Sequence, residues 1–275
     1  MPSFAHRFTG LSKARSPLCL GLDPSAELLG AWGLTQDAAG LAAFCGRVLE
    51  AAGDLVAVIK PQAGFFEQFG AAGVCELARA VADIQERGAL CLLDAKRGDV
   101  PGTMEGYAQA LVGPKGLGAD AATLNAYLGF RSLEPAFEQA ARFDAAAFLV
   151  VRSSNPDGRE LQSARHPDGR TVAERLADEI AAHNAQAGPV LGAVIGATME
   201  ASEAAILERL GPALVLAPGV GAQGAAMAQV GERFAAARGR VLPSVSRDIL
   251  RRGPDVAGLR QAILRYRDEA WSACG

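Results

Sequence analysis

Asp94, Lys96 and Asp99 place two carboxylates and an amine within six positions, directly after the apolar run 89–93. Side chains alternate along a strand. If extended geometry persists to Lys96, Asp94 and Lys96 therefore share a face, and Asp99 follows on the loop. Ionised groups leaving an apolar strand are costly unless they are paired or solvated. An acid, a base and an acid in this order can hold charge or move a proton beside a reacting atom; they can also form a plain strand-end salt bridge. A second amine, Lys60, closes the run 55–59 just before Pro61. With Asp94 one strand away, Lys60, Asp94, Lys96 and Asp99 would form a nearly neutral network of alternating charge that tolerates burial.

A different chemistry is written further along. Pro218 opens a stretch carrying Gly219, Gly221, Gln223 and Gly224, and it follows one apolar run and precedes a helical segment. Glycines there let backbone N–H groups approach an anion closely, although a glycine-rich turn alone has the same composition. Arg247, at the end of the last apolar run, could clamp the same anion bidentately.

Positioning these groups requires a scaffold. Eight short apolar runs recur at 18–22, 55–59, 89–93, 121–124, 146–151, 190–195, 213–217 and 241–245. Alanine-rich segments with helical spacing, such as 39–52, 73–87, 172–187 and 223–237, lie between most of them. Repeated βα units of this length predict an α/β fold, a single-domain (β/α)8 TIM barrel over residues 1–275, with an open doubly wound sheet as the alternative. Nearly every run ends in a polar or glycine-rich cluster. A barrel would gather all of these ends at one mouth, whereas an open sheet would spread them along an edge. The stretch 155–170 has turn chemistry without periodicity and reads as a long loop over that mouth.

Composition limits the partners. A net charge of −3 without a basic block argues against nucleic acid or an anionic membrane surface, so any phosphate recognition must be local. Five scattered cysteines without a CxxC pair argue against a disulfide framework or a zinc site; Cys19 and Cys91 read as buried thiols. His6, His166 and His183 lie far apart in polar contexts, which suits surface or loop positions. No signal-like apolar segment occurs, so a cytoplasmic, soluble protein is expected.

The ordered motifs LCLGLDPS, VAVIKPQ, LLDAKRGD, RSSNP, APGVGAQG and PSVSRDIL span 18 to about 250, and together they resemble the orotidine 5′-phosphate decarboxylase family in its bacterial type 2 form. The resemblance implies conversion of orotidine 5′-phosphate to UMP and CO2 with neither metal nor organic cofactor. It also implies a catalytic tetrad of Lys60, Asp94, Lys96 and Asp99. Asp23 and Lys60 would hold ribose hydroxyls, Ser154 the pyrimidine, and Gln223 and Arg247 the phosphate, with Pro218 packed against the nucleotide. Asp99 and Thr103 would reach into the site of a second subunit, which implies a homodimer. Val100, Pro101 and Gly102 depart from the usual linker before Thr103, and Pro101 should stiffen it. Asn125 and Tyr127 read as the structural finish of the fourth strand rather than as ligand contacts.

Two rival functions fit the same fold. A hexulose-phosphate synthase or gulonate-phosphate decarboxylase shares the DxK motif but uses Mg²⁺, and it places a glutamate near the strand end that Lys60 occupies here. A catalytically silent nucleotide-phosphate binding protein would bind UMP without consuming orotidine 5′-phosphate.

Overall fold

The structure is a computed structural model and describes residues 2–200, 203–222 and 224–275. Eight parallel strands, β1 (Cys19–Leu22), β2 (Val58–Pro61), β3 (Leu90–Arg97), β4 (Ala121–Leu124), β5 (Ala146–Arg152), β6 (Leu191–Ile195), β7 (Val215–Pro218) and β8 (Val241–Val245), close into a barrel in sequence order. Closure is direct, because β1 pairs with β8 through Cys19 opposite Ser244 and Leu20 opposite Val245. The expected barrel is therefore present, and the open-sheet alternative is excluded.

The helices are α1 (Phe4–Ala14), α2 (Ala26–Ala31), α3 (Ala38–Ala52), α4 (Gly64–Glu67), α5 (Gly70–Glu86), α6 (Pro101–Val112), α7 (Glu134–Arg142), α8 (Gly158–Gln162), α9 (Val172–Ala187), α10 (Ala205–Arg209), α11 (Met227–Arg233), α12 (Arg247–Leu250) and α13 (Val256–Cys274). Among the described residues none is long and apolar enough to cross a membrane. Helix α9 shows how local chemistry sets a boundary. Thr171 accepts from the Glu174 N–H while the Glu174 carboxylate accepts from the Thr171 N–H, a capping box that satisfies two orphan donors.

Alternation along the strands separates two cores. Leu18, Leu20, Leu22, Ile59, Cys91 and Leu93 pack outward against the helices. Cys19, Val58, Leu90, Leu92, Ala121, Ala146, Phe148, Val194, Leu216 and Leu242 fill the barrel. Phe4 and Phe8 of α1 plug its N-terminal end, with Phe4 edge-on to Phe148 at 5.8 Å between centroids. Each fully buried phenylalanine contributes ~1.5–3 kcal/mol through burial.

Some expected boundaries shift. The second strand begins at Val58, three residues later than the apolar run, so Lys60 lies within it. The segment 223–237 is not one helix: Gly224 has φ +93°, Val220 and Ala225 form a bridge, and α11 starts only at Met227. The loop 155–170 contains α8 and ends in a bridge between Arg165 and Thr171. His183 is a half-buried ring on α9, packed edge-on to Phe130 and Phe137, rather than a surface or loop residue; burial lowers its pKa. Pro101 is the first residue of α6, where a missing N–H costs nothing, so it starts a helix as well as stiffening the linker.

Candidate active site

On β1, β2, β3, β4 and β8 the inward ladder runs from apolar residues in the barrel to polar residues at its C-terminal mouth. Cys19 and Gly21 lead to Asp23, Val58 to Lys60 and Gln62, Leu90 and Leu92 to Asp94, Ala121 to Thr123, and Leu242 to Ser244 and Ser246. The mouth encloses a cavity of about 260 Å³. Its lining includes Asp23, Lys60, Asp94, Lys96, Ser154, Pro218, Gly219 and Arg247. This is the C-terminal face, where barrels of this kind carry their chemistry.

Asp94 is the hub. Its Oδ2 accepts from Lys60 Nζ at 2.9 Å, and its Oδ1 accepts from Lys96 Nζ at 2.5 Å and from Thr123 Oγ1 at 2.8 Å. Burial pushes the Asp94 pKa up, but the two lysines outweigh it and hold the carboxyl below the usual carboxylate range. Burial pushes Lys60 down, and Asp94 and Asp23 overcome it, so its pKa is raised. Asp94 and Lys60 are therefore both ionised across the neutral range.

Lys96 differs from Lys60. Its side chain is 47% exposed toward the mouth, whereas that of Lys60 is 5% exposed. Lys96 does not continue simple strand alternation. Its φ is +46°, the β3–β4 register shifts between Leu93 and Arg97, and its N–H donates to Thr123 Oγ1 at 3.0 Å. A left-handed φ on a long side chain costs of order 1 kcal/mol or more, and such strain is held where the surroundings fix it. The expected Asp94–Lys96 pairing is present, but through a kink that alternation does not foresee.

Asp99 lies outside this cluster in the single chain. Its Oδ1 accepts from the Val100 N–H at 2.7 Å, and neither it nor Thr103 lines the cavity. Asp23 Oδ2 accepts from Ser246 Oγ, while its Oδ1 is buried and accepts no hydrogen bond. Gly21 makes this arrangement possible, since a Cβ there would sit 2.6 Å from Ser246 Cβ.

On the opposite side, Gly219, Gly221 and Gly224 all have positive φ, so the segment after β7 needs the freedom of glycine. A Cβ on Gly221 would overlap the Asp248 carboxylate, which accepts from Tyr266 Oη at 3.0 Å. Gln223, expected on phosphate, lies outside the described residues. Between the two sides stands the end of β6. The Gly196 N–H donates to Arg152 O at 2.7 Å and the Ala197 N–H to Pro218 O at 2.8 Å. A Cβ on Gly196 would stand 2.8 Å from the Ser154 backbone.

Asn125 and Tyr127 do not line the cavity. The Asn125 N–H donates to Arg97 O at 2.8 Å and its Oδ1 accepts from the Tyr127 N–H at 3.0 Å, as a strand finish would. Sequence reasoning missed Gln62, Thr123, Ser244 and Ser246. Each stands two or four positions beyond an apolar barrel residue, so extending the inward ladder past the apolar run would have found them.

Comparison with known proteins agrees with this geometry. Residues 16–262 match the family model described as orotidine 5′-phosphate decarboxylase / HUMPS. The chain is 51% identical over 268 residues to the orotidine 5′-phosphate decarboxylase of Myxococcus xanthus, covering 96% of this chain and 93% of that protein. It is 45% identical to the orotidine 5′-phosphate decarboxylase of Salinispora tropica, covering 96% of each. A crystal structure from Streptomyces avermitilis superposes with a TM-score of 0.93 at 44% identity, covering 100% of this chain and 96% of that one. With a closed eightfold barrel, a Lys–Asp–Lys row at its mouth and this extent of likeness, the chain belongs to the orotidine 5′-phosphate decarboxylase / HUMPS family.

Proposed function

We propose that the protein converts orotidine 5′-phosphate to UMP and CO2, with Lys96 as the group that meets the charge left at C6. The observation that carries the reading is the Lys96 ammonium, 2.5 Å from Asp94 Oδ1 and open to the mouth cavity. Loss of CO2 from C6 leaves an electron pair that the ring cannot delocalise, so a fixed cation beside that carbon is the direct way to lower the barrier. Lys96 can then transfer a proton from Nζ to the same carbon, with Asp94 holding it in place. Lys60 anchors the other oxygen of Asp94 and, with the buried acceptor Asp23 Oδ1, faces where ribose hydroxyls would lie. Ser154 is assigned to the pyrimidine, and Arg247, Gln223 and the loop of Pro218, Gly219, Gly221 and Gly224 to the phosphate. Binding energy from the phosphate, remote from C6, can be expressed at the transition state.

The site is completed by a second subunit in this reading. Asp99 accepts from the Val100 N–H and does not line the mouth cavity of its own chain, and the adjacent segments leaving β3 and β4 expose Val100, Tyr127 and Leu128. That apolar face suits a homodimer in which Asp99 and Thr103 cross to the partner's mouth. The five described cysteines are all free, which fits a reducing, cytoplasmic setting. The deciding assay follows the absorbance of orotidine 5′-phosphate on mixing with EDTA-treated protein. Loss of absorbance with release of UMP supports the proposal. No loss of absorbance together with Mg²⁺-dependent turnover of a sugar phosphate favours the hexulose-phosphate synthase or gulonate-phosphate decarboxylase type, and UMP binding without turnover favours a silent binding protein.

A further inference from the structure

Arg152 ends β5 immediately before the segment assigned to the pyrimidine, and it is a buried cation that the chemistry described above does not use. Its Nε donates to Glu203 Oε1 at 2.6 Å, and its Nη1 donates to Ser153 O at 2.6 Å and to Gln162 Oε1 at 3.3 Å. Gln162, on α8, also accepts from the Ser153 N–H at 3.0 Å and donates to Ser153 Oγ at 2.8 Å. All three polar groups of Ser153 are thus held by two side chains. The second carboxylate oxygen of Glu203 accepts from the Glu200 N–H at 2.9 Å, which fixes that partner in turn.

The Ser153 carbonyl lies in the same rigid peptide plane as the Ser154 N–H. Holding that carbonyl therefore fixes the amide and the Cα position of Ser154, from which its side chain departs. Gly196 presses on the Ser154 backbone from the β6 side, leaving the segment little room to swing. A buried ion pair is a poor source of net stability compared with apolar packing, but a planar guanidinium with several fixed acceptors is a good source of orientation.

We propose that Arg152, backed by Gln162 and Glu203, is a positioning residue that sets Ser154 for recognition of the substrate's ring. The inference rests on the assignment of Ser154 to the pyrimidine. It predicts a selective defect, because ligands that carry the ring lose affinity while the sugar phosphate alone does not.

The experiment measures UMP and ribose 5-phosphate affinities, kcat and KM for the wild type, Arg152→Lys and Gln162→Ala. Arg152→Lys keeps the charge opposite Glu203 but loses the fork. Gln162→Ala removes the ties to Ser153 without stranding a buried charge, so at least one variant should fold. The expected result is about tenfold weaker UMP binding in both, the size of one or two lost hydrogen bonds, with ribose 5-phosphate binding within about twofold of wild type. KM for orotidine 5′-phosphate should rise more than kcat falls. A folded variant with an unchanged ratio of UMP to ribose 5-phosphate affinity overturns the positioning role, as does an equal loss for both ligands. Wild-type protein that binds UMP no tighter than ribose 5-phosphate overturns the assignment of Ser154 itself and the inference with it.

Discussion

Two acid–base clusters sit at opposite ends of the barrel and use the same chemistry to different ends. At the N-terminal end, Asp120 Oδ1 pairs with Arg7 at 2.5 Å, while its Oδ2 accepts from the Cys91 N–H at 2.9 Å and from Gln85 Nε2 at 3.0 Å. Arg7 also donates to Asp144 O at 3.1 Å. Those partners belong to α1, α5, β3 and the segments flanking β4 and β5, so this cluster ties elements together. At the mouth, Asp94 is just as occupied, but one of its partners is the half-exposed Lys96, whose amine faces a cavity. What separates the site from the strut is where the cation is placed: the Arg7 guanidinium joins Asp120 to the Asp144 carbonyl at the N-terminal end, whereas the Lys96 amine stands half exposed at the C-terminal mouth, the face on which barrels of this kind carry their chemistry.

Breaking the mouth cluster should have the largest effect. Lys96→Ala should lower kcat by at least ~10³-fold while keeping UMP affinity within about tenfold, or some 1.4 kcal/mol. Its melting temperature should stay near that of the wild type, because the side chain is half exposed. Near-normal turnover would remove the amine from the mechanism.

Breaking the strut should do the converse. Asp120→Ala strands Arg7 and leaves the Cys91 N–H without its acceptor, and it should cost about 2–3 kcal/mol of stability after allowance for Arg7's partial exposure. Turnover below the new melting transition should stay within about twofold. A loss of activity at full folding would erase the distinction between the two ends.

Thr123 sharpens the comparison on a smaller scale, since it both donates to Asp94 and accepts from the Lys96 N–H. Thr123→Val should reduce kcat about tenfold, with little change in UMP affinity, through a displaced Lys96. An unchanged kcat would show that the kink at Lys96 does not need this tether.

The smallest effect is a pH slope. Asp94's pKa is lowered in the folded protein, so its contribution to stability is complete above the unfolded carboxylate value of about 4 and declines as pH falls below it. Denaturant titrations between pH 5 and 2 should show a shallower acid loss in Asp94→Asn than in wild type. An equal slope would mean that other carboxylates govern acid unfolding.

The strands were legible because a parallel barrel buries them on both faces, which leaves continuous apolar runs in the sequence. The run 121–124 matched β4 at both ends, and 172–187 matched α9, whose capping box and following glycine mark its limits. Asp94 with Lys96, Lys60 and Arg247 were legible because charge at a strand end stands out against such runs. Thr123, Ser244 and Ser246 did not stand out, since uncharged polar residues are common at strand ends; only their inward register reveals them. The left-handed turn at Lys96 was beyond reach, because lysine has no local preference for it and the N–H contact that accompanies it, to the Thr123 hydroxyl, comes from the neighbouring strand.

The tip of β6 has one more consequence. Gly196 abuts the Ser154 backbone beyond β5 and the Ala197 N–H bonds the Pro218 carbonyl at the end of β7, so two successive residues join both sides of the mouth. Their Cα atoms are about 3.8 Å apart across one planar peptide, a length that neither temperature nor sequence can stretch. A side chain larger than hydrogen at 196 would press on the Ser154 backbone while the next residue stays tied to Pro218, so a change at this one tip would be felt on both walls of the mouth at once.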